Sequence, residues 1–295
     1  MEDNIQRQES SSGMGGQGAS QGGRGGCADS KEAGKTYWSN SRITSYQRCP
    51  RKDFYSYTCK RRTKKKNVNL IFGDILHKAL CLKHTGKEDE VPALIASYVC
   101  DRTEKTKTRE KLQLAYDTYV RENFPPVWQV LAVEEAIIWP LPSGADMIVI
   151  ADMVVQRDGC VYGIEYKSTG RINDTFFERF KRDTQVDMQY LGIINKYGRC
   201  DGIYITAIEV GTAKVKIVRD LVTRTPAQLV RAEEYFVNWI NTVQADRLKE
   251  ENRIACFDFN SACEYLPVCS GQTTIEDDEL YETKEEKVYG ESKGK

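Results

Sequence analysis

Three runs of β-branched and aromatic residues follow one another in mid-chain, and they constrain the fold more than any other feature. VWQVLAVEEAIIWPL, ADMIVIADMVVQ and CVYGIEYK are separated by Pro, Gly and Asp signals. They read as three consecutive strands with a turn at Arg157–Gly159. The flanking segments have helical period. Residues 41–57 read as a helix kinked at Pro50. LIFGDILHKALCLK repeats its apolar groups at helical spacing, and 91–124 reads as one or two more helices closed by Pro125 and Pro126. After the strands come a helix over about 174–196, strands at GIYITAIEV and KVKIVRD, and a helix from Pro226 to about Lys249. This order predicts an α+β fold with a mostly helical front.

Composition sets the limits of that domain. Apolar residues make up 40% of the chain, enough for a core. No run of 18 apolar residues occurs, so no membrane span is expected. No apolar signal core is visible either, so a soluble, cytoplasmic protein is expected. Residues 1–35 are Ser-, Gly- and Gln-rich and read as a disordered leader. Residues 36–270 form the expected domain, and 271–295 read as an acidic disordered tail. Net charge is zero, yet the charges are segregated. EDDELYETKEE is acidic, whereas KRRTKKK (60–66), RTEKTKTREK (102–111) and the stretch Arg179–Arg182 are basic. Such clusters can attract phosphates whatever the total charge.

The strands carry a candidate metal site. Asp152 is placed at the end of one strand, with Glu165 and Lys167 on the next. Residues two apart on a strand share a face. Two carboxylates beside an ammonium pack poorly, but they suit Mg²⁺ or Mn²⁺, which take carboxylate oxygens and keep waters. A bound ion of that kind acidifies water, and a lysine can orient or deprotonate it. D-x₁₂-E-x-K alone is a short pattern. The chain has two histidines. His77 lies on an otherwise apolar helix, where a boundary role competes with ligation, and His84 reads as a core residue.

Ten cysteines in a chain without a signal peptide raise the expectation of metal binding. Cys49 stands near one end of the domain, and Cys256-x₆-Cys263-x₅-Cys269 near the other. Thiolates select zinc or an iron–sulfur cluster, and spacing does not choose between them, although the C-x₂₋₄-C pairing common at zinc sites is absent. Such a site would close a very long loop. Cysteines 27, 59, 81, 100, 160 and 200 show no ligand spacing and read mostly as small buried apolar residues.

Taken together these pieces resemble the RecB-like branch of the PD-(D/E)XK nuclease superfamily, which includes AddB-type, CRISPR-adaptation and phage exonucleases. The matching residues are S-x-I-x-x-Y-x-x-C-P-R at Ser41–Arg51, G-x-x-x-H at Gly73–His77, Asp152, E-x-K at Glu165–Lys167, and a following helix with glutamines. The resemblance covers roughly residues 41–269. It implies a restriction-endonuclease-like mixed sheet flanked by helices. It also implies a Mg²⁺- or Mn²⁺-dependent deoxyribonuclease, an exonuclease of recombination, repair or phage DNA metabolism, working in the cytoplasm of its cell or of an infected host. A structure-specific or restriction-type endonuclease, or a catalytically weak nucleic-acid-binding module, are the alternatives. His77, Asp152, Glu165 and the Tyr166 carbonyl would hold metal, and Lys167 would serve the attacking water. TQVDMQYLGI departs from the family's Q-x-x-x-Y spacing, so Gln185, Gln189 and Tyr190 match it imperfectly. Glu134 stands near an acidic position of the family. Cys49, Cys256, Cys263 and Cys269 would hold a [4Fe–4S] cluster, with zinc as the alternative. Arg48, Arg51, Lys52 and Gln189 would face DNA, single-stranded or with free ends. No G-x-x-x-x-G-K-[ST] loop occurs, so unwinding would need a helicase or recombination partner.

Overall fold

The computed structural model describes residues 36–65, 67–100, 105–125 and 128–285. The leader and residues 286–295 lie outside these. The chain opens with β1 (Tyr37–Trp38), α1 (Asn40–Arg48) and α2 (Pro50–Asp53). A π-helical turn (Phe54–Thr58), β2 (Arg61–Thr63), α3 (Val68–His84), α4 (Val91–Ala96) and α5 (Arg109–Glu122) follow. Next come the three strands expected from the sequence: β3 (Gln129–Pro140), β4 (Asp146–Arg157) and β5 (Cys160–Thr169). The second half holds α6 (Thr184–Tyr197), β6 (Gly202–Val210), β7 (Val215–Val222), α7 (Pro226–Ala245), α8 (Leu266–Cys269) and β8 (Tyr281–Thr283). The fold class is the α+β one expected, a mixed sheet flanked by helices.

The sheet runs β1-β4-β5-β6-β7, with β3 on the other side of β4. β3 follows β4 antiparallel along nearly its whole length. β5 pairs with β4 only from Cys160 to Ile164, and the last partnered residues are Met153 and Ile164. Beyond them β5 continues beside β6, in parallel, to Thr169. The edge of β4 that β5 leaves is taken up again at Asp146 and Met147 by the short β1. The sheet therefore forks at Asp152 and Glu165.

Helices cover both faces. α1, α6 and α7 share one apolar cluster with the sheet, containing Trp139, Val149, Ile193, Ile203 and Phe236. α3, α4 and α5 share the other, containing Phe72, Leu76, Tyr119, Ile164 and Tyr166. Two glycines set how closely the helices approach. A Cβ on Gly192 of α6 would come within 2.8 Å of Val149 Cγ1 and 3.0 Å of Trp139. One on Gly73 of α3 would come within 3.2 Å of Ser168 Oγ on β5. Each glycine lets its helix lie close to the strand that it faces.

Four sequence expectations need correction. The helix expected from about 174 begins at Thr184, because the Asp183 side chain accepts hydrogen bonds from Gln185 N and Val186 N and caps it there. Before it, Glu178–Arg182 form a 3₁₀ turn. The last long helix stops at Ala245, short of Lys249. The described part of the acidic tail, residues 271–285, is held against the domain. β8 pairs antiparallel with β2, placing Arg61 opposite Thr283 and Arg62 opposite Glu282. Ion pairs Arg61–Asp278 (2.7 Å) and Arg62–Glu282 (2.8 Å) flank the ladder. Ile275 and Tyr281 are buried in a third small cluster with Tyr55 and Tyr265. Apolar side chains inside an acidic stretch, opposite a basic run, are what hold it. Cys81, Cys100, Cys160 and Cys200 are free thiols at intermediate exposure, so none of these four is fully buried.

Candidate active site

Asp152 is interior to β4 and not at its end, but it is the first residue that β5 no longer partners. The Tyr166 backbone N–H, released from the β4 ladder, donates to Asp152 Oδ2 at 2.8 Å. His77 arrives from α3, one turn after Gly73, with Nδ1 3.6 Å from the same oxygen. Its ring meets Tyr166 edge-on at 5.9 Å. Burial pulls the His77 pKa down, but the hydrogen bond and charge of Asp152 outweigh it, and the net shift is upward.

Glu165 is 2% exposed although it carries a carboxylate. An uncompensated buried charge costs several kcal/mol, so its partners decide whether the fold tolerates it. Gln185 Nε2 donates to Oε1 at 2.7 Å, and Gln189 Nε2 donates to Oε2. Lys167 Nζ lies 2.5 Å from Oε1 and also donates to Gln185 Oε1 at 3.0 Å. Burial, and then the nearby Asp152 charge, push the Glu165 pKa up. Burial lowers that of Lys167, yet the Glu165 charge prevails and its pKa rises. Gln185 and Gln189 are one helical turn apart, so α6 presents both amides to one carboxylate.

The fork thus brings together His77, Asp152, Glu165, Lys167, Gln185 and Gln189. Tyr190 is elsewhere. Its hydroxyl accepts from Arg224 N at 3.2 Å and lies 3.5 Å from Val222 O, at the far side of α6. A residue one position on from Gln189 points some 100° around the helix, which explains the divergence. Glu134, on β3, lines a small cavity with His77, Cys81, His84 and Asp152. Its φ of 46° is left-handed, a strained conformation for glutamate inside a strand.

Cys49, Cys256, Cys263 and Cys269 are away from the fork. All four are free thiols and line one cavity of about 130 Å³. Asn252 N donates to Cys49 Sγ at 3.3 Å, and Cys263 N donates to Cys256 O at 2.7 Å. Arg48 and Lys52 line this cavity too, each near an acid: Arg48–Asp258 at 3.9 Å and Lys52–Glu264 at 3.2 Å. Arg51 is close to Tyr55 and bonds the Glu250 carbonyl through its backbone. These three cations therefore lie by the thiols and not at the carboxylates. Among the described residues no group of three or more His, Cys, Asp or Glu side chains is drawn together at metal-ligand distance.

Residues 37–270 match, as one stretch, the sequence profile of the PD-(D/E)XK nuclease superfamily. The chain belongs to that superfamily. The crystal structure of a candidate exonuclease from Eubacterium rectale is similar at a TM-score of 0.50 and 12% identity, over 81% of this chain and 88% of that one. An alkaline exonuclease from Laribacter hongkongensis is similar at a TM-score of 0.30 and 15% identity, over 58% of this chain and 87% of that one. A search of curated proteins gives no match.

Within this PD-(D/E)XK domain, sequence reasoning missed the support behind Tyr166. The Tyr119 hydroxyl donates to Phe124 O at 2.7 Å, so its single proton is used. Tyr166 OH, at 2.7 Å, and His84 Nε2, at 2.8 Å, must then both donate to it. That requires His84 to carry its proton on Nε2. The available signal was spacing, since His84 is seven residues, or two turns, after His77. Burial and then Lys83 lower its pKa to about 4. The folded protein thus refuses a proton that the unfolded chain takes up below about pH 6.5. Stability should be fully present above that value and should fall as pH drops toward 4. We expect thermal melts across pH 4–7 to show this decline, and His84→Gln to flatten it. A wild-type slope retained in the variant would assign the effect to other groups.

Proposed function

We propose that the chain is a metal-dependent deoxyribonuclease, an exonuclease of DNA recombination, repair or phage DNA metabolism, on the RecB-like pattern. The observation that carries the reading is the fork, where Asp152 and Glu165 leave their shared ladder with Lys167 bonded to Glu165. Membership of the superfamily supports the nuclease class, and the exonuclease mode follows the description of the Eubacterium rectale protein, whose fold is similar. No helix among the described residues is long and apolar enough to cross a membrane.

The donor set fits Mg²⁺ or Mn²⁺. Such ions need only one or two carboxylates and keep several waters, so two carboxylates with His77 alongside suffice. Asp152 and Glu165 would hold the ion, with the Tyr166 carbonyl as a further oxygen. When bound it supplies an acidified water and charge for the phosphate. The chain's own residues do the rest. His77 and Tyr166 N fix Asp152. Gln185 and Gln189 fix Glu165, and Gln185 also orients the Lys167 ammonium. Lys167 holds its proton while bonded to Glu165, so it orients the water and offsets phosphate charge in that state. Asp152→Asn, Glu165→Gln and Lys167→Ala should each lower Mn²⁺-dependent degradation of end-labelled DNA by at least about 10²–10⁴-fold. Near-normal cutting by the Lys167 variant would remove it from this role.

We propose a second metal group at the four cysteines, which line one cavity without being drawn to ligand distance. Four free thiols around one cavity are a soft-ligand set, and burial, followed by Glu251, Cys263 and Cys49, lifts the Cys269 thiol to about 11. A metal would remove those protons and staple the α1–α2 junction to residues 253–269. A [4Fe–4S] cluster is the reading, with zinc as the alternative. Protein purified without oxygen should contain about four irons per chain, and Cys263→Ala should lose them and melt earlier. One zinc would discard the cluster. No metal and an unchanged melt in the variant would discard the staple.

A further inference from the structure

The sequence offers three basic clusters, and in two of them several of the described cations are engaged within the protein. In the first, Arg61 and Arg62 pair with Asp278 and Glu282, and Lys64 Nζ donates to Asp278 O. In the second, Lys107 is buried with its ammonium 4.6 Å from the Phe72 ring. Arg109 donates to Tyr98 O through Nε and Nη2, and Lys111 donates to Thr212 O. The third cluster lies on residues 170–183, which strap β5 to α6.

Both ends of this strap reach the fork. It begins just after Thr169, two residues beyond Lys167. It ends at Asp183, whose side chain caps the helix at Gln185. It is also firmly held. Phe176 and Phe180 are 5% and 2% exposed, Ile172 N donates to Glu209 Oε2 at 3.0 Å, and Arg224 Nη2 donates to Phe180 O at 2.9 Å. Arg224 is itself fixed by Asp187 at 2.5 Å.

Arg179 stands exposed on that base. Its guanidinium carbon is 4.3 Å from the Phe176 ring centroid and 4.6 Å from that of Phe180. It makes no ion pair among the described residues. Lys181 differs, being held by Glu178 at 2.6 Å. The strap also carries Arg171, Arg182 and the exposed Asp174, so its net charge is small and the argument rests on placement. A stacked guanidinium loses little further freedom on binding and keeps its in-plane N–H groups for a bidentate oxyanion.

We propose that the strap 170–183 receives the phosphodiester backbone of the substrate strand beside the carboxylates, with Arg179 as its pre-ordered phosphate contact. This rests on the nuclease reading above for its substrate. The test measures binding of a short fluorescein-labelled single-stranded oligonucleotide by anisotropy, with EDTA present so that no cutting occurs. Arg179→Gln should weaken binding by about tenfold. It should also reduce the slope of log affinity against log salt by about 0.7, one phosphate contact. Arg179→Lys keeps the charge without the fork. It should keep the slope with intermediate affinity, and it serves if the glutamine variant fails to melt normally. Arg121→Gln, which removes an exposed charge from α5, should change neither quantity. Wild-type affinity and slope in Arg179→Gln would overturn the proposal, as would an equal loss in Arg121→Gln or no binding by the unsubstituted protein. Cleavage of the same oligonucleotide with Mn²⁺ is read separately. Arg179-dependent binding without any cleavage would remove the nuclease reading and keep the contact. Cleavage with Arg179-independent binding would do the reverse.

Discussion

A carboxylate kept almost out of water at the centre of the molecule is the constraint on which the rest depends. Glu165 is 2% exposed, and its charge is tolerable only with donors on both oxygens. Those donors come from Gln185, Gln189 and Lys167. Two of them lie on α6, so α6 must sit close to the sheet, which Gly192 permits. It must also begin at a fixed residue, which the Asp183 cap sets. Arg224, anchored on Asp187 and the Phe180 carbonyl, holds that end of the helix against β7.

The second requirement is that the sheet open at the right place. A continuous β4–β5 ladder would pair the Tyr166 N–H region with backbone. Because the ladder stops at Met153 and Ile164, that N–H is free to hold Asp152. β1 covers the vacated edge farther along, at Asp146 and Met147. On the opposite face His84, Tyr119 and Tyr166 form a chain of directed hydrogen bonds that fixes the β5 side of the fork. The strained Glu134 on β3 shares a small cavity with Asp152. Polar residues from α3, α5, α6 and three strands thus converge on one point, while the apolar clusters on both faces hold those elements in place.

Much of this was legible in the sequence, and the parts that were not share a physical cause. The three central strands show their period directly, and His77, Asp152, Glu165 and Lys167 are brought together as their order implied. Strand period also put Glu165 and Lys167 on one face. Where β5 leaves β4 is a pairing choice made by tertiary structure, so the apolar pattern suggests a strand end at Asp152 where β4 in fact continues. The 3₁₀ turn at Glu178–Arg182 has helix-compatible residues, and only the Asp183 cap separates it from α6. Tyr190 matches the family motif imperfectly, and helical geometry turns it away from Gln185 and Gln189. Charge alone suggests a disordered acidic tail, but Ile275 and Tyr281 give it an apolar side. Basic clusters are equally ambiguous without their partners, and Arg61 and Arg179 look alike until the acids around them are known.

The central claim is that Asp152 and Glu165 together bind a divalent cation and that this site drives the chemistry. Calorimetric titration of Mn²⁺ into the metal-free protein tests it most directly, because it does not depend on the right DNA substrate. The account predicts saturable binding that weakens at acid pH, as protons compete for the carboxylates and His77, and that is lost in Asp152→Asn and in Glu165→Gln. Saturable binding that survives both substitutions, or no binding by the unsubstituted protein, would contradict it.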